Sequence, residues 1–176
     1  MVIYFLRHAS AGQHLSDPAK DERRGLDKEG IEQCGYVGRA LAALNTHVDA
    51  IISSPLKRAL QTASLVANEI GYEAKPQTDD ALRPDATFTD FRKLLAKYAR
   101  LETIMVVGHN PNFSEFLGRT IVGGNNSASI DLKKGAVARV DLDRTQGSLQ
   151  WCITPKVIRA AYASAAESVR PKTSRK

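Results

Sequence analysis

Three short apolar runs, each leading through a few small or polar residues into a helix-like stretch, constrain this chain more than any other feature. They are VIYFL at residues 2–6, VDAIISS at 48–54 and ETIMVVG at 102–108. Brief runs rich in β-branched and aromatic side chains read as buried strands. The segments between them carry helical spacing: Ile31, Cys34, Val37, Leu41 and Leu44 recur on one face after Asp27, a natural N-cap. Strands alternating with helices of this length imply βαβ units around a largely parallel sheet. The expected fold is a three-layer α/β/α sandwich with a mostly parallel central sheet. GAVARVDLD and SLQWCIT, joined by a short turn, add an antiparallel hairpin at its C-terminal end.

Finer punctuation gives further expectations. Ser54 as N-cap with Pro55 at the first helical position should open one helix, closed by Gly71, and Asn110 with Pro111 should open another. TDDALRPDAT reads as a loop, and VGGNNSAS as a mobile rim. A chain of 176 residues fits one domain that buries about 70% of its unfolded surface. Residues 1–160 are expected to form that domain and residues 161–176 an extension.

Charge and cysteine content narrow the function classes. The net charge is +6, but RPKTSRK at the end carries four basic residues and no acid, leaving the remainder close to +2. That tail reads as disordered. Elsewhere acids and bases interleave, without the basic stripe or stacking aromatics of a nucleic-acid binder, so an anionic small group is the expected partner. Cys34 and Cys152 are expected as buried, reduced cysteines. The opening segment lacks the layout of a signal peptide and no run spans a bilayer; a cytoplasmic protein that avoids membranes, monomeric by expectation, follows.

In a parallel sheet, the three strands named above leave at the same edge. That edge would gather Arg7 and His8 from LRHAS, Arg58 from SSPLKR and His109 from GHNP. An isolated Arg-His pair is an ordinary strand ending; two arginines and two histidines at three equivalent junctions make an anion site. Arginine's planar fork matches two phosphate oxygens, and a neutral imidazole nitrogen is a nucleophile near pH 7. The set suits phosphoryl transfer through a phosphohistidine. Neither His14, in a polar loop, nor His47, in a turn, has such company, and no metal-ligand spacing appears, so neither metal nor cofactor is expected.

RHA, SSPLKRALQTA and GHNP together resemble the histidine phosphatase superfamily, also called phosphoglycerate mutase-like. RRGLDKEG resembles that family's Arg-x-Leu-Thr-x-x-Gly element. The compact chain, without a large inserted lid, is most similar to the SixA branch of phosphohistidine phosphatases. The resemblance implies that His8 takes the phosphoryl group while Arg7, Arg58 and His109 hold its oxygens. Arg24 would reach the same anion, although among Arg23, Lys20 and Lys28 it reads equally as part of a solvated cluster. Asp27 stands where the family has threonine. Ala9 replaces a usual glycine, which a residue of negative φ accepts. The glutamate many members use as general acid has no clear counterpart; among Asp79, Asp80 and Asp85, Asp85 is the candidate. A missing acid suits a phosphohistidine substrate, whose imidazole leaves more readily than an alkoxide. The rival readings are a phosphatase of small phosphorylated metabolites with the same mechanism, and a phosphate- or phosphoprotein-binding module without catalysis.

Overall fold

A computed structural model describes residues 1–123, 126–144 and 146–168. Six strands form one sheet in the order β3-β2-β4-β1-β5-β6. They are β1 (Val2–Arg7), β2 (Ala50–Ser53), β3 (Gln77–Thr78), β4 (Thr103–Gly108), β5 (Val137–Leu142) and β6 (Gly147–Ile153). β1 to β4 are mutually parallel, whereas β5 runs antiparallel to β1 and β6 to β5. The helices are α1 (Pro18–Glu22), α2 (Lys28–Ala43), α3 (Lys57–Glu69), α4 (Phe88–Lys97), α5 (Asn112–Val122) and α6 (Pro155–Ser168).

Strand alternation sorts the core into two halves. Ile3 and Phe5 of β1, Ile52 of β2 and Val106 of β4 face Phe91 and Leu94 of α4 and Phe113, Phe116 and Leu117 of α5. Tyr4, Leu6, Ile51, Met105 and Val107 face the other way, onto α2, α3 and Ile158 of α6. Complete burial of one such side chain contributes about 1.5–3 kcal/mol. This is the α/β/α sandwich with its C-terminal hairpin expected from the sequence.

Several local expectations are corrected. Ser54 and Pro55 stand outside α3, which starts at Lys57 behind Leu56, a residue with no side chain to cap it; Ser54 Oγ accepts from the Leu56 N–H at 3.3 Å instead. α5 likewise starts at Asn112, with Pro111 at its N-cap. TDDALRPDAT contains a 3-10 turn at Asp80–Leu82, anchored by buried Leu82. The polar loop around His14 contains α1, too short to show apolar periodicity. Cys34 is buried as expected but Cys152 is exposed, because it lies on the solvent side of the edge strand β6. Of VGGNNSAS, Gly124 and Asn125 lie outside the described residues, and so does all of RPKTSRK; Ala128 donates its N–H back to Gly118 O at 3.2 Å. No described helix is long and apolar enough to cross a membrane.

The register places the site. Arg7 pairs with Gly108 across β1 and β4, and Ser53 with Val107 across β2 and β4, so the next residues, His8, Ser54 and His109, leave one sheet edge together. Two main-chain bonds continue the ladder past the strand ends: His8 N–H to Gly108 O at 3.0 Å and Ser54 N–H to Val107 O at 2.9 Å. Gly108 is required there, since a Cβ would lie 2.7 Å from the Phe113 ring.

Candidate active site

A cleft of about 600 Å³ opens over this edge, and Arg7, His8, Arg58 and His109 all line it. The four residues predicted to converge do converge. Arg24 and Asp85 line the same cleft. Asp85 sits at the rim, its side chain 85% exposed, with Arg83 as nearest cation at 3.8 Å. Arg24 is largely engaged: its Nε donates to Asp21 at 2.8 Å and a terminal nitrogen to Ala11 O at 2.5 Å.

His8 is buried, and its ring is fixed by a bond from Nδ1 to Ala9 O at 2.8 Å. A carbonyl only accepts, so Nδ1 carries the proton and Nε2 keeps its lone pair. Burial pushes the His8 pKa down to about 3; the Ala9 bond acts against this, and the charges of Arg58, Arg7 and Lys134 act with it. Ala9, where glycine was the family habit, is fully buried and accepted without strain: among the described residues Asn45 is the one non-glycine of positive φ. Its N–H donates to Thr62 Oγ1 at 3.1 Å.

His109 is 2% exposed, and its Nε2 lies 2.8 Å from Ser54 Oγ. Ser54 Oγ accepts from Leu56 N–H, and among the described residues His109 Nε2 is the one acceptor its own proton reaches, so the pair is assigned with Ser54 as donor. That leaves the proton of the neutral ring on Nδ1. Burial, reinforced by His8, Arg58 and Arg7, lowers the His109 pKa to about 2.

The two arginines are each tethered by one terminal nitrogen. Arg7 Nη1 donates to Leu132 O at 2.8 Å, and Arg58 Nη1 donates to Asp21 O at 2.9 Å. In both, the buried Nε has no hydrogen-bond partner among the described residues, and neither has Nδ1 of His109. Arg7, Arg58 and His109 all line the cleft, and three positively charged or proton-bearing side chains gathered there suit an oxyanion. No set of three or more His, Cys, Asp or Glu side chains among the described residues is placed to hold a metal ion.

Other cleft residues carried weak sequence signals. His14 is 79% exposed, as expected of a loop histidine, but pairs with Asp21 at 3.0 Å. Arg83, ion-paired with Glu22 across the cleft, and Lys134, in the loop before β5, add positive charge. Asp21 was missed altogether. The one signal available was its spacing of three residues before Arg24, which puts both on one face of a helical turn.

The comparisons agree with this geometry. The family model of the histidine phosphatase superfamily (branch 1) matches residues 3–93. An uncharacterised protein of Picosynechococcus sp. is 33% identical over 140 residues, 78% of this chain and 82% of that one. The chain belongs to the histidine phosphatase superfamily. In fold it is similar to the protein histidine phosphatase SixA complexed with tungstate, with a TM-score of 0.80 and 19% identity over 90% of this chain and 99% of that one. It is also similar to the alpha-ribazole phosphatase from Shigella flexneri, at a TM-score of 0.67 and 16% identity over 88% and 97% of the two chains. The matched family segment contains Arg7, His8, Arg24 and Arg58; His109 lies beyond it and joins the site through the register of β4. Family and fold are those of phosphatases.

Proposed function

We propose that this phosphatase works through a phosphohistidine on His8 and that its substrate is phosphohistidine in a protein. The observation that carries the reading is the state of His8: a buried, neutral imidazole with Nδ1 tied to Ala9 O and Nε2 unprotonated. In the first step Nε2 attacks phosphorus and the N–P bond of the substrate breaks; the substrate's other ring nitrogen carries a proton, so the electron pair stays on an imidazole that leaves neutral. In the second, water attacks the phosphoryl group on His8. The P–Nε2 bond then breaks with its pair returning to Nε2, and inorganic phosphate leaves. The guanidinium groups of Arg7 and Arg58 and the His109 ring, which line the cleft, offset the charge gathered on the equatorial oxygens.

The carboxylates of the cleft favour the phosphohistidine substrate over an alkyl ester. A general acid must hold a proton to give. Burial alone would raise the pKa of Asp21, but hydrogen bonds from Arg24 and the Leu15 N–H, with the charges of Arg58 and Arg24, hold it well below the usual carboxylate range. A leaving imidazole asks less of such a site than an alkoxide does.

The test is a substrate panel of a phosphohistidine peptide, an alkyl phosphomonoester and an aryl phosphate, with intact mass recorded under non-acidic conditions. A phosphorylated enzyme and a kcat/KM at least tenfold higher on the peptide are expected. Equal efficiency on the peptide and the alkyl ester would favour a small-molecule phosphatase instead.

A further inference from the structure

We infer that Asp21 is a positioning residue, which sets the Arg58 guanidinium for the transferred phosphoryl group; the inference rests on the proposed phosphatase reaction. α1 exists to deliver this side chain. Asp17 caps the helix by accepting from the N–H groups of Ala19 and Lys20, Pro18 opens it, and Asp21 is the one buried residue of the five.

The carboxylate is fully engaged. Oδ1 accepts from Leu15 N–H at 3.0 Å and Arg24 Nε at 2.8 Å, and lies 3.0 Å from His14 Nδ1. Oδ2 faces Arg58 Nη1 at 3.2 Å, while the main-chain oxygen of the same residue accepts from that nitrogen at 2.9 Å. The main-chain oxygen holds this nitrogen by a hydrogen bond, and the carboxylate holds the charge beside it. Arg7 leaves a strand in the middle of the sheet and is held by the neutral carbonyl of Leu132; Arg58 rises from the first turn of α3, and the residue that holds it is charged. An arginine ordered before the anion arrives loses less freedom on binding it.

A carboxylate that only supported α1 would matter equally whether or not position 58 carried a guanidinium. A double-mutant cycle separates the two roles. It uses the wild type, Asp21→Asn, Arg58→Ala and the double variant, with p-nitrophenyl phosphate turnover and calorimetric binding of tungstate. Asp21→Asn is expected to lower kcat/KM about 10- to 100-fold, the usual size for a residue that orients a ligating group. In the Arg58→Ala background the same change is expected to cost no more than about twofold. Equal losses in both backgrounds, or no loss in the wild type, would overturn the inference. Tungstate affinity carries the same cycle without turnover, so failure of the phosphatase reading stays distinguishable. Asp21→Glu, which keeps the charge and displaces it by one methylene, replaces the asparagine variant if that does not fold.

Discussion

The imidazole rings of His8 and His109 lie with centroids 4.8 Å apart and planes inclined at 51°. Both are buried beside two guanidinium groups, so a second proton on either ring is strongly disfavoured. The folded site therefore keeps two neutral histidines inside a positive cleft, one with a free lone pair and one with a free N–H.

That arrangement gives stability a definite pH dependence. In the unfolded chain both histidines titrate near 6.5; in the folded protein burial, first of all, depresses them to about 3 and about 2. Between these values the unfolded state binds more protons, so stability rises with pH. It is complete above the unfolded value and is lost as pH falls from 6.5 towards 3, by about 1 kcal/mol per pH unit for each histidine. Asp21, held below its usual range, adds a loss of the same sign at still lower pH. Urea midpoints measured from pH 7.5 to 4.5 should hold level to about pH 6.5 and then fall, with a shallower fall in His109→Asn. A flat profile would show that the rings are not held neutral by the fold.

Replacing His8 by alanine removes the nucleophile while leaving the tethers of both arginines in place. Turnover of an aryl phosphate should fall on the order of 10⁴-fold or more, and tungstate should still bind. Appreciable residual turnover by this variant, with no phosphorylated enzyme detected by mass, would rule out the His8 intermediate.

Arg7 and Arg58 present the same unpaired Nε but are tethered differently, one to the neutral carbonyl of Leu132 and one to Asp21. Alanine at either position should lower kcat/KM by about 10²–10³, as for a placed oxyanion donor. Lysine should restore little, because its point charge cannot reproduce a tethered planar fork. Recovery of near wild-type rates by Arg7→Lys would show that charge alone is used.

The convergence of Arg7, His8, Arg58 and His109 was legible because it follows from parallel strands sharing one edge, and apolar runs reveal strands. The helix starts were less so. Ser-Pro and Asn-Pro both suggest cap and first turn, yet the chain takes two further residues to turn over the sheet edge before α3, and Pro111 itself holds the N-cap of α5. Asp21 and Arg83 were hidden for another reason. The contacts that bring Asp21 and Arg83 to the cleft span long sequence separations, Arg58 to Asp21 over 37 residues and Arg83 to Glu22 over 61; the spacing of Asp21 before Arg24 is local but does not point to Arg58. Cys152 was misjudged because strand character does not tell a central strand from an edge.

Asp27, in place of the family's threonine, supplies two oxygens where threonine has one. Oδ1 caps α2 through Gly30 N–H at 2.7 Å, and Oδ2 accepts from Ser10 Oγ at 2.8 Å and Gly12 N–H at 2.7 Å. One side chain thus fastens the loop that follows His8 to the start of the helix. The contact is close enough that a Cβ on Gly30 would lie 2.0 Å from Ser10 O. Asp27→Ala loses the cap and both loop bonds and should cost about 1–3 kcal/mol. Asp27→Thr keeps the cap and should recover about 1 kcal/mol of that. Activity should follow a different order: both variants release Ser10 and Gly12, so both should lose kcat/KM by a similar factor of about ten. Thermal or urea unfolding read beside turnover decides the matter, since a threonine variant that regains activity along with stability would mean the second oxygen has no role in placing His8.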